Sequence, residues 1–217
     1  MQAGMTRSIM SAELGSQAGL IAPDDITLDY LRAAGVAQSE LPDTAHWQTD
    51  ADAQVERHDF DADTLAPQVA APHSPANAAP VTDYPDTPVQ AAYIGACTGA
   101  KLEDLRAADR VLRGRPVASG VKLMVAPASL RDQAQAEREG IMARLVQSGA
   151  EVLPTSCGAC SGYGRSIPEG ASVISTTARN FKGRMGSDTA RVYLASPYTV
   201  AASALTGRIA DPRGLLT

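Results

Sequence analysis

Residues 89–114 read VQAAYIGACTGAKLEDLRAADRVLRG. VQAAYIGA is a short apolar run of strand length. KLEDLRAADRVLRG is an amphipathic helix, with Leu102, Leu105, Ala108 and Leu112 on one face and Gly114 as its stop. A glycine-rich turn holding Cys97 joins them. The pattern then recurs. GVKLMVAP (120–127) reads as a second strand and SLRDQAQAEREGIMARLVQSG (129–149) as one long helix from a Ser cap to Gly149. AEVLP, ASVISTT and RVYLAS read as further strands, and SPYTVAASALTG as a final helix with Pro near its start. Strands alternating with helices predict a mostly parallel sheet covered on both faces, a three-layer α/β/α domain over residues 89–217. Ligands of such sheets sit beyond the carboxyl ends of the strands. Cys97, the Cys157–Cys160 pair and Arg179 all follow expected strands, so three motifs point to one rim.

Residues 1–88 differ. Met10, Leu14 and Ala18 recur at helical spacing, and APDDITLDYLRAAG adds a helix start, an apolar stripe of Ile26, Tyr30 and Ala34, and a Gly stop. Residues 36–88 are rich in Asp, Pro, Ala and Gln and carry all three histidines, His46, His58 and His73. They show no sustained period, and APHSPANAAPVTDYPDTP reads as an extended connector. So long a connector is expected to serve a neighbouring domain. The helices before it are expected to leave an apolar face around Met10, Leu14 and Leu20 uncovered.

The 217 residues suffice for a sizeable core, and with two Phe, six Tyr and one Trp that core is aliphatic and alanine-rich. The net charge of −5 and the lack of basic blocks argue against a nucleic-acid partner. No apolar run approaches a membrane span or a signal peptide, so no membrane partner and a cytoplasmic location are expected.

The three cysteines occupy two glycine-rich turns. A CxxC pair alone admits a core pair, a redox pair that leaves Cys97 without a role, or structural zinc, which wants four ligands. Three thiolates with small neighbours (Gly95, Ala96, Gly99, Gly158, Ala159 and Gly162) favour a 4Fe–4S cluster, in which three irons take thiolates and the fourth stays open.

IGACTGAKLEDLRAA, SCGACSGYG, STTARNFKGRMGS and VYLASPYTVAASALTGRIADPR together resemble the aconitase superfamily, most closely the large subunits of the 3-isopropylmalate dehydratase and homoaconitase type. MTRSIMSAELGSQAGLIAPDD resembles the family segment that precedes the connector. The resemblance covers nearly the whole chain but only the C-terminal half of the family subunit.

It implies a hydro-lyase component that reversibly dehydrates a hydroxy di- or tricarboxylic acid of the 3-isopropylmalate kind, in leucine biosynthesis. Cys97, Cys157 and Cys160 would hold the 4Fe–4S cluster. Arg179 and Arg184 would clamp substrate carboxylates, and Glu13 would act catalytically near the open iron. A separate N-terminal half and a small subunit supplying the proton-abstracting base are the implied partners. Two positions depart from the family pattern: Ala178 and Ile9 stand where asparagines are common. They keep open an alternative, a non-catalytic iron–sulfur module that needs a partner half.

Overall fold

The structure is a computed structural model that describes residues 1–163 and 167–216. Gly164, the end of the cysteine motif, lies outside the described residues. The chain divides into two compact units, Met1–Leu65 and Ala66–Thr217.

In the first unit, helix α1 spans Gln2–Met10 and α2 spans Asp25–Ala33. Asp24 caps α2: its carboxylate accepts from Thr27 N at 2.9 Å, closing a capping box. Met10, Leu14 and Ala18 do not form one helical stripe. The chain tightens into a 3₁₀ turn at Ser11–Leu14 and leaves it through left-handed Gly15. Leu14 and Leu20 are 86% and 94% exposed, as expected, whereas Met10 is half-buried. No residue of this unit is fully buried, so it has no core of its own.

The second unit holds the sheet. Its strands are β1 (Gln68–Ala70), β2 (Ala78–Pro80), β3 (Ala91–Ile94), β4 (Lys122–Val125), β5 (Glu151–Val152), β6 (Ser172–Ser175) and β7 (Arg191–Ala195). Their order is β2-β1-β7-β6-β3-β4-β5. The five strands from β3 to β7 run parallel, and β1 and β2 add an antiparallel edge. Both edge strands come from the stretch read as connector. The α/β architecture with a mostly parallel sheet is the one the alternation of elements predicts.

Alternating side chains divide the core between the faces. Ala92, Ile94, Leu123, Val125 and Ile174 join one cluster. After the one-turn helix α3 (Ala96–Gly99), helices α4 (Leu102–Leu112), α5 (Leu130–Arg138), α6 (Ile141–Gln147) and α7 (Pro197–Thr206) fill that side. Tyr93, Met124, Val173, Val192 and Leu194 point to the opposite face, which Ala159, Cys160, Ile167 and Met185 cover from the two strand-to-strand crossovers before and after β6.

The expected single helix over 129–149 is two. Glu139 ends α5, Gly140 adopts φ 70°, and α6 restarts at Ile141. A left-handed residue cannot continue a right-handed helix, and glycine adopts it without a Cβ clash. Asp109, on α4, anchors Arg144 of α6 through two oxygens at 2.9 and 2.6 Å, which holds the bent pair against α4.

Among the described residues no helix is long and apolar enough to cross a membrane.

Candidate functional site

After β5 the chain recrosses the sheet to β6, on the far side of β3. The strand order therefore reverses between β3 and β6, the place where parallel α/β sheets open a crevice at their carboxyl ends. Cys97 follows β3 there, in the one-turn helix Ala96–Gly99.

Thr176, at the end of β6, fixes this turn. Its hydroxyl accepts from Gly95 N at 2.9 Å and donates to Gly95 O at 3.0 Å. Thr98 donates back to Thr176 O at 3.1 Å. The fit leaves no room at Gly99, where a Cβ would meet Thr176 O at 2.5 Å. Ala96 sits at φ 69°, a conformation that costs a non-glycine residue about 1–3 kcal/mol and clusters at functional sites.

Cys157 and Cys160 lie on the crossover that follows β5. Cys160 N donates to Cys157 O at 2.8 Å and begins the 3₁₀ turn, which ends at Gly162. Cys160 is buried with Tyr93, Ala96, Ala159 and Met185, while Cys97 and Cys157 are exposed. None of the three is in a disulfide. Burial pushes the Cys160 thiol up. Arg184 pulls it down, by hydrogen bond and by charge, and Cys157 and Cys97 push it up again. These mutual effects put the three thiols and Arg184 in one electrostatic neighbourhood.

Arg184 comes from the crossover that follows β6. Its Nη2 is 3.8 Å from Cys160 Sγ. Its Nε is buried and has no hydrogen-bond partner among the described residues. A buried guanidinium N–H without a partner suits an anion. Asn180 pins this crossover by donating to Ala71 O at 2.8 Å and Val192 O at 3.1 Å. Arg179 is half-buried beside it, and its carbonyl accepts from Thr177 Oγ1 at 3.2 Å. Ala178 is buried and offers no polar side chain.

Glu13 belongs to the other unit, half-buried in its 3₁₀ turn. Glu103 and Asp104 lie in the first turn of α4, where Asp104 accepts from Lys101 N at 3.0 Å and caps the helix.

Two residues of the site escape a reading of the sequence alone. Thr176 reads as a strand end and Tyr93 as strand core. Tyr93 is fully buried, its hydroxyl makes no hydrogen bond of good geometry among the described residues, and burial pushes its pKa up to about 12, with the Cys160 and Cys157 thiols adding to the rise and the backbone N–H groups of Cys160 and Ala96 opposing it. The signal for both is spatial, since the two strand ends are adjacent only after folding.

The donor set fits a multinuclear iron–sulfur cluster. It supplies three free thiols from two turns lined by small residues. Among the described residues no three Cys, His, Asp or Glu side chains gather as a site for one metal ion.

The chain matches the aconitase family (aconitate hydratase) over residues 1–87 and 82–207. It is 44% identical over 213 residues to the 3-isopropylmalate dehydratase large subunit of Oleidesulfovibrio alaskensis, covering 97% of this chain and 50% of that one. With large subunit 2 of the same enzyme from Archaeoglobus fulgidus it shares 41% over 214 residues, 98% of this chain and 50% of the relative. The Geobacter sulfurreducens large subunit is 39% identical over 228 residues, 100% of this chain and 52% of the relative. The chain spans about half the length of the curated relatives it matches.

Proposed function

The chain belongs to the aconitase family, and on that footing we propose that it is the cluster-bearing part of a hydro-lyase acting on a 3-isopropylmalate-type hydroxy acid. The observation that supports this is Arg184 Nη2 at 3.8 Å from Cys160 Sγ, with Cys160 packed in one apolar cluster with Ala96 of the Cys97 turn, at the strand-order switch.

Cys97, Cys157 and Cys160 would hold a 4Fe–4S cluster. When bound, such a cluster supplies a Lewis-acidic iron that eases departure of hydroxide. Arg184, with its unpartnered buried Nε, is suited to bind a substrate carboxylate, and Arg179 on the same crossover would take a second. Thr176 and Asn180 keep the two turns in register, so that thiols and guanidinium are placed before substrate arrives. Glu13 would act near the leaving hydroxyl.

The proton-abstracting base would come from a small subunit, and a further large-subunit half would close the cleft. The name "large subunit" and the double length of the relatives support both partners. A cytoplasmic location accords with the reduced thiols this cluster needs.

A second reading, a non-catalytic iron–sulfur module, is favoured by Ala178, which puts a buried methyl group at the position before Arg179.

Co-expression with a complementing half-subunit and small subunit tests the proposal. The unsaturated diacid product is followed by its ultraviolet absorbance. Turnover should appear, and Arg184→Gln should raise KM by about 10–100-fold, the worth of a charged hydrogen bond, with iron and sulfide content unchanged. A fully loaded complex without turnover would favour the non-catalytic module, and unchanged kinetics in Arg184→Gln would remove that residue from the site.

A further inference from the structure

Among the buried polar groups that the proposed function leaves unused, the Tyr93 hydroxyl lies nearest to the cysteine turns. Tyr93 is 0% exposed, and its hydroxyl hydrogen has no acceptor among the described residues, where the nearest backbone groups are the N–H donors of Cys160 and Ala96. A buried donor without a partner is destabilising, and natural structures keep few of them without a reason. Its surroundings supply one. The ring end lies against the α-carbon of Gly95: a Cβ there would be 2.5 Å from Tyr93 Cε1, and closer to Cζ and Oη. Gly95 is two residues before Cys97. Tyr93 also packs in one apolar cluster with Ala96, Ala159 and Cys160. The hydroxyl therefore sits beneath both cysteine turns, in a space that the lack of a side chain at Gly95 keeps open. The nearby hydroxyls of Thr176, Thr98, Ser175 and Thr177 all have partners. Tyr93 alone among them is left with a hydrogen to give.

We propose that Tyr93 is a positioning residue of the cluster site, whose hydroxyl donates a hydrogen bond to the sulfurs of the bound cluster and favours its more reduced state. This rests on the cluster assignment above. Thiolate and sulfide sulfurs carry negative charge that grows on reduction. A fixed donor beside them stabilises the reduced form, raises the potential and makes oxidation by air slower. Without the cluster the hydroxyl hydrogen has no acceptor and with the cluster it gains one, so removal of the hydroxyl costs the loaded form more than the apo form.

The full chain, wild type and Tyr93→Phe, is compared in apo form and after anaerobic reconstitution with iron and sulfide. Tyr93→Phe should lower the denaturant midpoint less in the apo form than in the reconstituted form, because only the loaded form offers the hydroxyl an acceptor. Reconstituted Tyr93→Phe should hold as much iron and sulfide as wild type, with a lower midpoint potential. It should also bleach in air about three- to tenfold faster, the range one neutral hydrogen bond supplies. Fluorotyrosine at position 93, a stronger donor of nearly the same shape, should raise the potential above wild type. A Phe variant destabilised as much in the apo form as in the loaded form would overturn the proposal, since the hydroxyl would then gain nothing from the cluster. An unchanged potential across the fully loaded series would overturn it equally. Wild type that takes up no cluster would overturn the cluster assignment itself, which tells the two failures apart.

Discussion

Thr176→Val removes one oxygen and nearly nothing else. That oxygen is the sole side-chain link recorded between the end of β6 and Gly95, accepting from its N–H at 2.9 Å and donating to its carbonyl at 3.0 Å. Both Gly95 groups are buried, so water cannot replace the lost partner. Each lost bond is worth about 1 kcal/mol, and each stranded buried group adds a desolvation cost of similar size, giving about 2–4 kcal/mol in total. Thr176→Ser keeps the hydroxyl and loses one methyl, about 1 kcal/mol. Urea unfolding of the two variants, at constant m, separates these values. The Val variant should also bind iron and sulfide less completely than the Ser variant, because the turn that carries Cys97 is no longer tied to β6. A Val variant within about 1 kcal/mol of wild type, or a Ser variant as damaged as Val, would refute the role assigned to this hydroxyl.

Two further outcomes follow from the helical face. Gly140→Ala should destabilise the chain by about 1 kcal/mol, because alanine is strained at φ 70°; thermal unfolding reads this, and a stabilised variant would mean that α5 and α6 run on as one helix. Glu139 is held down to about 2 by the Arg106 guanidinium, which bonds both its oxygens, at 2.8 and 2.5 Å. A depressed folded pKa gives stability that is present above the unfolded value, near 4.5, and fades as pH falls toward 2. Denaturation measured across that window should be steeper in wild type than in Arg106→Gln, and identical slopes would contradict the pairing.

The parallel sheet is legible because β3, β4, β6 and β7 are apolar runs bounded by glycine, proline or charge, with helices between them. The antiparallel edge is not. Gln68–Ala70 and Ala78–Pro80 are three residues each, and neither shows alternation. Their pairing with each other and with β7 comes from the sheet that forms beside them. The break at Gly140 is hidden for another reason: the apolar spacing continues on both sides of it, and only the backbone angle shows that the helix stops. Within the site, the cysteines and arginines stand out by residue type. Thr176 and Tyr93 do not, because their importance lies in contacts across about 80 residues of sequence, as in the Gly95–Thr176 bond. The capping Asp104 shows the reverse case, a charged residue beside a motif with a purely local task.

The central claim is that Cys97, Cys157 and Cys160 are three ligands of a four-iron cluster with one iron open. It is tested most directly by anaerobic reconstitution, followed by iron and sulfide analysis and electron paramagnetic resonance before and after brief air exposure. The expected result is about four irons and four sulfides per chain, conversion to a three-iron signal in air, restoration by added ferrous iron, and loss of the cluster in each single Cys→Ser variant. A wild-type chain that binds no iron–sulfur cluster, or one whose cluster survives intact in Cys97→Ser, would contradict it.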